Sequence, residues 1–131
     1  MGIQRLQHTS IPMPPGGREE AHRFYTEVMG LKRIPTPASM DSGRILWFAV
    51  GNDGDELHLF TEVSAHTGMS GTHVCLVVDD LEAMRQKLEA EGIEIGSEPD
   101  VPFRPRFSFR DPFGNKIEIT EIHGNYLDAE V

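Results

Sequence analysis

The stretch Asp111-Pro112-Phe113-Gly114-Asn115-Lys116-Ile117-Glu118-Ile119-Thr120 runs from a tight turn straight into a short alternating strand. Pro fixes φ, Gly permits a positive φ, and Asp and Asn bond their own backbone, so the first five residues read as a hairpin turn. Ile117 and Ile119 then share one strand face, and Lys116, Glu118 and Thr120 the other. The same order occurs half a chain earlier. Gly51-Asn52-Asp53-Gly54-Asp55 is a turn, and Glu56-Leu57-His58-Leu59-Phe60 alternates after it. There Leu57 and Leu59 share one face, and Glu56, His58 and Phe60 the other. A duplicated turn-and-strand therefore sets the fold.

Working outward, each copy gains the same earlier elements. In the first, Leu6 to Ile11 reads as a strand, and Pro12-Met13-Pro14-Pro15-Gly16-Gly17 as a loop. A helix follows from about Arg18 to Met29, with Ala21, Phe24, Tyr25 and Val28 as its apolar face and Gly30 as its left-handed stop. Leu31 to Ile34 and Arg44 to Val50 are two further strands. In the second copy, His73 to Val78 is a strand. Asp79 with Glu82 three residues on has capping-box spacing for a helix with Leu81, Met84 and Leu88 on its apolar face, ended by Gly92. Ile93 to Ile95 is a short strand. A loop holding Pro99, Pro102 and Pro105 leads to the strand Arg106 to Arg110, and Lys116 to Ile122 closes the copy. Glu62 to Thr72 reads as a linker.

Each copy thus reads strand, helix, strand, strand, strand. This predicts an α+β fold: one domain over residues 1–131 built from two βαβββ repeats, about 4–62 and 71–122. One face of each sheet takes its helix, and the two sheets are expected to curl as a paired cup around a central cavity. The aliphatic faces suit the helices, so His58 and Glu118 are expected to point into the cavity.

Bulk properties narrow the function. The chain has 131 residues and a formal net charge of −9. That balance disfavours binding to nucleic acid or to an anionic membrane, since both rest on cationic patches. No apolar run approaches a membrane span, and the first residues lack the pattern of a signal peptide. Cys75 is the single cysteine, so no intrachain disulfide forms. A cytoplasmic location is the expectation. Open sheet edges on so small a chain predict a homodimer.

The duplication also distributes four candidate metal ligands. His8 and His73 open the first strand of each copy, and His58 and Glu118 lie in the last. One early and one late ligand per repeat can surround a single ion. The competing reading is a metal-free cavity whose polar residues make hydrogen bonds.

These features together resemble the vicinal oxygen chelate superfamily, which includes glyoxalase I, methylmalonyl-CoA epimerase, extradiol dioxygenases, and the fosfomycin and bleomycin resistance proteins. The resemblance runs from Leu6 to about Ile122. It is carried by Phe24-Tyr25 with Met29-Gly30-Leu31, by Thr72-His73-Val74, and by Asp111-Pro112-Phe113-Gly114-Asn115 running into Ile117-Glu118-Ile119. It implies paired units around one divalent metal, with His8, His73 and Glu118 at ligand-like positions. His58 takes the remaining position, where glyoxalase I commonly has Glu and the epimerase Gln. A further imidazole favours Zn, Ni, Fe or Mn over Mg or Ca. The resemblance allows the site to form within one chain or across a dimer.

The resulting expectation is a metal-dependent enzyme of glyoxalase type, a lyase or isomerase. Its small-molecule substrate would chelate the metal through neighbouring oxygens. Glu118, or Glu56, is the candidate proton acceptor. Trp47, Phe60, Phe107, Phe109 and Arg106 are the candidate pocket residues, with Trp47 and Phe48 on opposite faces of their strand. The alternatives are a metal-free antibiotic- or metabolite-binding protein of bleomycin-resistance type and a non-haem Fe(II) ring-cleaving dioxygenase. Arg104, Arg106 and Arg110 suit an anionic substrate or, as the plainer reading, a solvated strand edge. Cys75 is expected as a small buried core residue, and His22, His66 and His123 as solvated.

Overall fold

Strand pairing turns the alternating sequence into two-faced sheets, one in each half of the chain. The computed structural model describes residues 1–40, 43–63 and 70–129. It divides into two units, Met1–Thr67 and Gly68–Val131. The fold is α+β, with a four-stranded sheet in each unit. Among the described residues no helix is long and apolar enough to cross a membrane. His66 lies outside them.

The first unit holds β1 (His8–Met13), α1 (Arg18–Arg23), a π-helical continuation (Phe24–Val28), β2 (Lys32–Ile34), β3 (Ile45–Val50) and β4 (Asp55–Thr61). The sheet order is β1-β4-β3-β2, with β1 parallel to β4 and the other pairs antiparallel. Register puts Leu46 opposite Leu59 and Phe48 opposite Leu57. All four are buried, as are Ala21, Phe24, Tyr25 and Val28 of the helix. Tyr25 and Phe48 meet with ring centroids 5.5 Å apart. Burying each such side chain contributes about 1.5–3 kcal/mol before entropy is counted. The expected helical face is therefore the core face. Its second half is π-helical rather than α-helical, with Met29 N–H reaching the Phe24 carbonyl.

Pro12 and Met13 were expected in a loop but belong to β1, opposite Phe60 and Thr61. The reason is position: β1 is an edge strand, where the missing N–H of proline costs no ladder bond.

The second unit holds β5 (His73–Val77), α2 (Leu81–Ala90), β6 (Gly96–Ser97), β7 (Arg106–Arg110), β8 (Lys116–Thr120) and a 3-10 turn (Tyr126–Asp128). Its sheet order, β5-β8-β7-β6, repeats that of the first. The cap of α2 is Asp80 and not Asp79. Asp80 is extended, and its carboxylate accepts from Ala83 N–H at 2.9 Å, while Glu121 accepts from Leu81 N–H at 2.6 Å. The helix stops in a Schellman motif. Gly92, at φ 77°, donates to Glu89 O, and Ile93 donates to Leu88 O. That bond ties Ile93 to the helix end, so the short strand begins at Gly96 and not at Ile93.

The hairpin that decided the fold is organised by one side chain. Asp111 Oδ1 accepts from Phe113 N–H at 2.9 Å and Asn115 N–H at 2.8 Å, and Asn115 Nδ2 donates to Asp111 Oδ2 at 2.9 Å. Counting back from this turn sets Phe109 opposite Ile117 and Phe107 opposite Ile119. These four are buried, and Arg85 of α2 lies over the Phe107 ring at 4.9 Å. Phe107 and Phe109 are thus core residues on the helix side. The register sets them on the face opposite Glu118, and Phe109 also borders a cleft with Ser108, Arg110 and Lys116.

Candidate ligand cleft and histidine–carboxylate pair

In the first unit the face opposite the helix carries His8 and Ser10 from β1, Glu56, His58 and Phe60 from β4, and Ile45 and Trp47 from β3. Trp47 is directly across from His58. Their rings stack at 4.0 Å with 1° between planes, and His8 stacks on His58 at 4.2 Å and 18°. Three aromatic rings from three strands therefore form one column. The column borders a cleft of about 600 Å³, which Glu56, Ser10, Ile45 and Phe60 also line. Trp47, Phe60 and Glu56, singled out in the sequence, all border this cleft. Phe48 points the other way, onto Tyr25, as expected.

Hydrogen bonds fix the histidine rings. His58 Nε2 donates to Glu56 Oε1 at 2.8 Å. This bond holds the Glu56 carboxyl below its ordinary value; burial opposes the shift, and a bond from Gln7 adds to it. Gln7 Nε2 donates to Gly54 O, so its amide oxygen faces His8 and accepts from His8 Nδ1 at 2.6 Å.

In the second unit the face opposite the helix carries His73, Cys75 and Val77 from β5, Lys116, Glu118 and Thr120 from β8, and Arg106, Ser108 and Arg110 from β7. His73 shares the face of Glu118. Cys75 does too, and it is exposed, which corrects the expected buried position. Glu118 is 2% exposed and has both oxygens engaged. His73 Nε2 lies 2.8 Å from Oε2, and Arg106 Nη1 donates to Oε1 at 2.8 Å. His73 Nδ1 donates to the Gly71 carbonyl at 2.9 Å.

Arg106 and Arg110 are not a solvated edge, because β7 is an inner strand; Arg104 precedes β7 and is exposed. Arg106 binds Glu118 and the Pro99 carbonyl. Arg110 donates to Ser70 O and Gly114 O, and Arg104 lies over Tyr126. Nearby, Lys116 pairs with Glu98 at 2.7 Å, and bonds from Lys116 and then Ser108 hold the Glu98 carboxyl low. The loop from Pro99 to Arg106 is where sequence reasoning fell short. The Pro99 carbonyl that orients Arg106 belongs to irregular backbone, which leaves no periodic signal.

The donor sets can be tested against a divalent metal. Two imidazole ligands must aim in-plane lone pairs at a shared point about 2.0–2.1 Å away. Rings stacked as His8 and His58 are aim theirs side by side, so this pair does not fit one ion. Glu118 offers its carboxylate already ion-paired to a guanidinium. Among the described residues, no three His, Cys, Asp or Glu within either unit form a metal-holding group.

The fold has many counterparts of known structure. A protein from Bacillus anthracis assigned to the glyoxalase family is 32% identical, with 93% of this chain and 98% of that chain covered and a TM-score of 0.83. TnmS3, an antibiotic-binding protein from Streptomyces sp. CB03234, is 25% identical, with coverage of 93% and 98% and a TM-score of 0.72. A lactoylglutathione lyase from Agrobacterium tumefaciens shares the fold at 22% identity, with coverage of 92% and 95% and a TM-score of 0.69. No curated protein sequence matches significantly. A family profile matches residues 5–119, nearly the whole of both sheets. The chain belongs to the glyoxalase/bleomycin resistance protein/dioxygenase superfamily.

Proposed function

We propose that this chain binds a planar small molecule in the cleft of its first unit, without needing a metal. The observation that carries the reading is the Trp47–His58–His8 column bordering a cleft of about 600 Å³. Small-molecule sites typically have about 300–1,000 Å³ and combine apolar walls with a few fixed polar groups. Phe60 and Ile45 supply the apolar walls, and Ser10 and the Glu56 carboxylate supply the polar groups. Glu56 fixes the His58 ring plane, so the column is organised before a ligand arrives, which lowers the ordering cost of binding. Aromatic pairs of this geometry contribute about 0.5–1.5 kcal/mol beyond area burial. The likeness to an antibiotic-binding protein supports the same reading.

Members of this superfamily commonly use a divalent metal. The glyoxalase-type enzyme expected from sequence relied on His8 and His58 as ligands with His73 and Glu118. The stacked rings and the Arg106–Glu118 ion pair weigh against that donor set here, so no metal-dependent step is assigned. Thermal melts with planar aromatic compounds, in buffer with and without EDTA, test the proposal. Stabilisation that persists in EDTA and is lost in Trp47→Ala is expected. Stabilisation that disappears with EDTA overturns it.

A further inference from the structure

We propose that Arg106 is a built-in counter-cation that holds the His73–Glu118 pair in place of a divalent metal, and that this one residue decides whether the pair takes up a metal. The proposal rests on the second unit alone, so failure of the cleft reading leaves it standing.

The pair has half the form of a metal seat. The Gly71 carbonyl can only accept, so His73 Nδ1 carries a proton and Nε2 is the nitrogen turned to Glu118. A bond of this kind to the far nitrogen is what orients metal-ligating histidines. Nε2 and the carboxylate oxygen at 2.8 Å are both acceptors until a cation joins them. That cation is either a proton or a metal ion.

Arg106 settles the charge. A buried carboxylate requires a positive partner. Arg106 Nη1 supplies it at 2.8 Å on Oε1. The guanidinium is itself pinned, since Nε and Nη2 both donate to Pro99 O at 3.2 and 2.9 Å. It is always charged and its fork is rigid. A divalent ion bound at Glu118 would therefore face a fixed positive group that has no other orientation prepared for it. With the arginine in place a single proton between His73 and Glu118 completes the array. Without it, Glu118 Oε1 has no positive partner, and the site can accept a divalent ion in place of the proton between His73 and Glu118.

The test uses Co²⁺ and Zn²⁺ alone as probes, with the full chain. Co²⁺ absorbance titrations compare wild type, Arg106→Gln, Arg106→Lys and the double variant Arg106→Gln/His73→Ala. Arg106→Gln is expected to bind one Co²⁺ at least about tenfold more tightly than wild type, since it removes a full charge from the pair. Arg106→Lys keeps the charge without the pinned fork and is expected to fall between wild type and Arg106→Gln, and the double variant to lose the gain. A folded Arg106→Gln protein with no gain overturns the proposal. So does a wild-type protein that binds stoichiometric metal through His73, shown by loss in His73→Ala. Should Arg106→Gln not fold, the His73 ring-proton resonances of wild type decide. Resonances unmoved by Zn²⁺ support the proposal, and a saturable Zn²⁺-dependent shift overturns it.

Discussion

The His58 ring lies 4.0 Å from that of Trp47 and within 1° of parallel to it. The two residues are directly paired across β3 and β4, so the contact follows from strand register and not from a flexible loop. Replacing Trp47 by Ala removes one face of the column and leaves His58 half-supported. The expected loss is about 1–3 kcal/mol of stability, from lost packing and the stacking contribution together. Trp47→Phe is expected to recover much of it. Urea denaturation of the two variants checks both statements.

Acid is expected to destabilise the protein. Glu56, Glu98 and Glu121 all have folded-state values below the ordinary one, each chiefly through a side-chain hydrogen bond: from His58, Lys116 and His123 respectively. A carboxyl whose folded value is depressed is protonated sooner in the unfolded chain. Its contribution is complete above the ordinary carboxylate range and is lost as pH falls through that range towards the folded value. Denaturation midpoints should fall steadily there, and Glu56→Gln should flatten the slope while lowering neutral-pH stability. A midpoint that rises on acidification contradicts this.

Asp111 is the organiser of the second hairpin. Its carboxylate takes two backbone N–H groups and the Asn115 amide. Asp111→Ala leaves those buried donors unpaired, at a cost of about 1–3 kcal/mol. Differential scanning calorimetry should show a clear drop in Tm, larger than that of Asp53→Ala in the exposed first turn.

The start of α2 separates two neighbouring aspartates. Asp80 makes the capping bond to Ala83. Asp80→Ala should cost about 1 kcal/mol, the usual value for losing a cap, and Asp79→Ala close to nothing. Equal losses in the two variants contradict the assignment.

The sheets were legible because period-2 alternation survives in a single sequence. Leu57, Leu59, Ile117 and Ile119 marked the core faces without knowledge of neighbours. The faces of β5 and β7 needed those neighbours. Phe107 and Phe109 looked like pocket walls because apolar and cationic residues alternate there. Counting outward from the Asp111–Asn115 turn would have aligned them with Ile119 and Ile117 and sent Arg106 to the face of Glu118. The Trp47–His58–His8 column was less accessible. The Trp47–His58 pair follows from the short β3–β4 turn, but His8 joins it only through the pairing of β1 with β4 across most of the first unit, and no local propensity fixes that. Pro12 and Ile93 misled for opposite reasons. An edge strand tolerated the proline, and a helix-ending bond claimed the isoleucine.

Trp47 is the single tryptophan, so its emission reports the cleft directly. The most direct measurement is a fluorescence titration of EDTA-treated protein with a planar aromatic compound that stabilises it in thermal melts. Saturable quenching at one ligand per chain, unchanged when Zn²⁺ or Ni²⁺ is added, is the predicted result. Quenching that appears only after metal is restored contradicts the account.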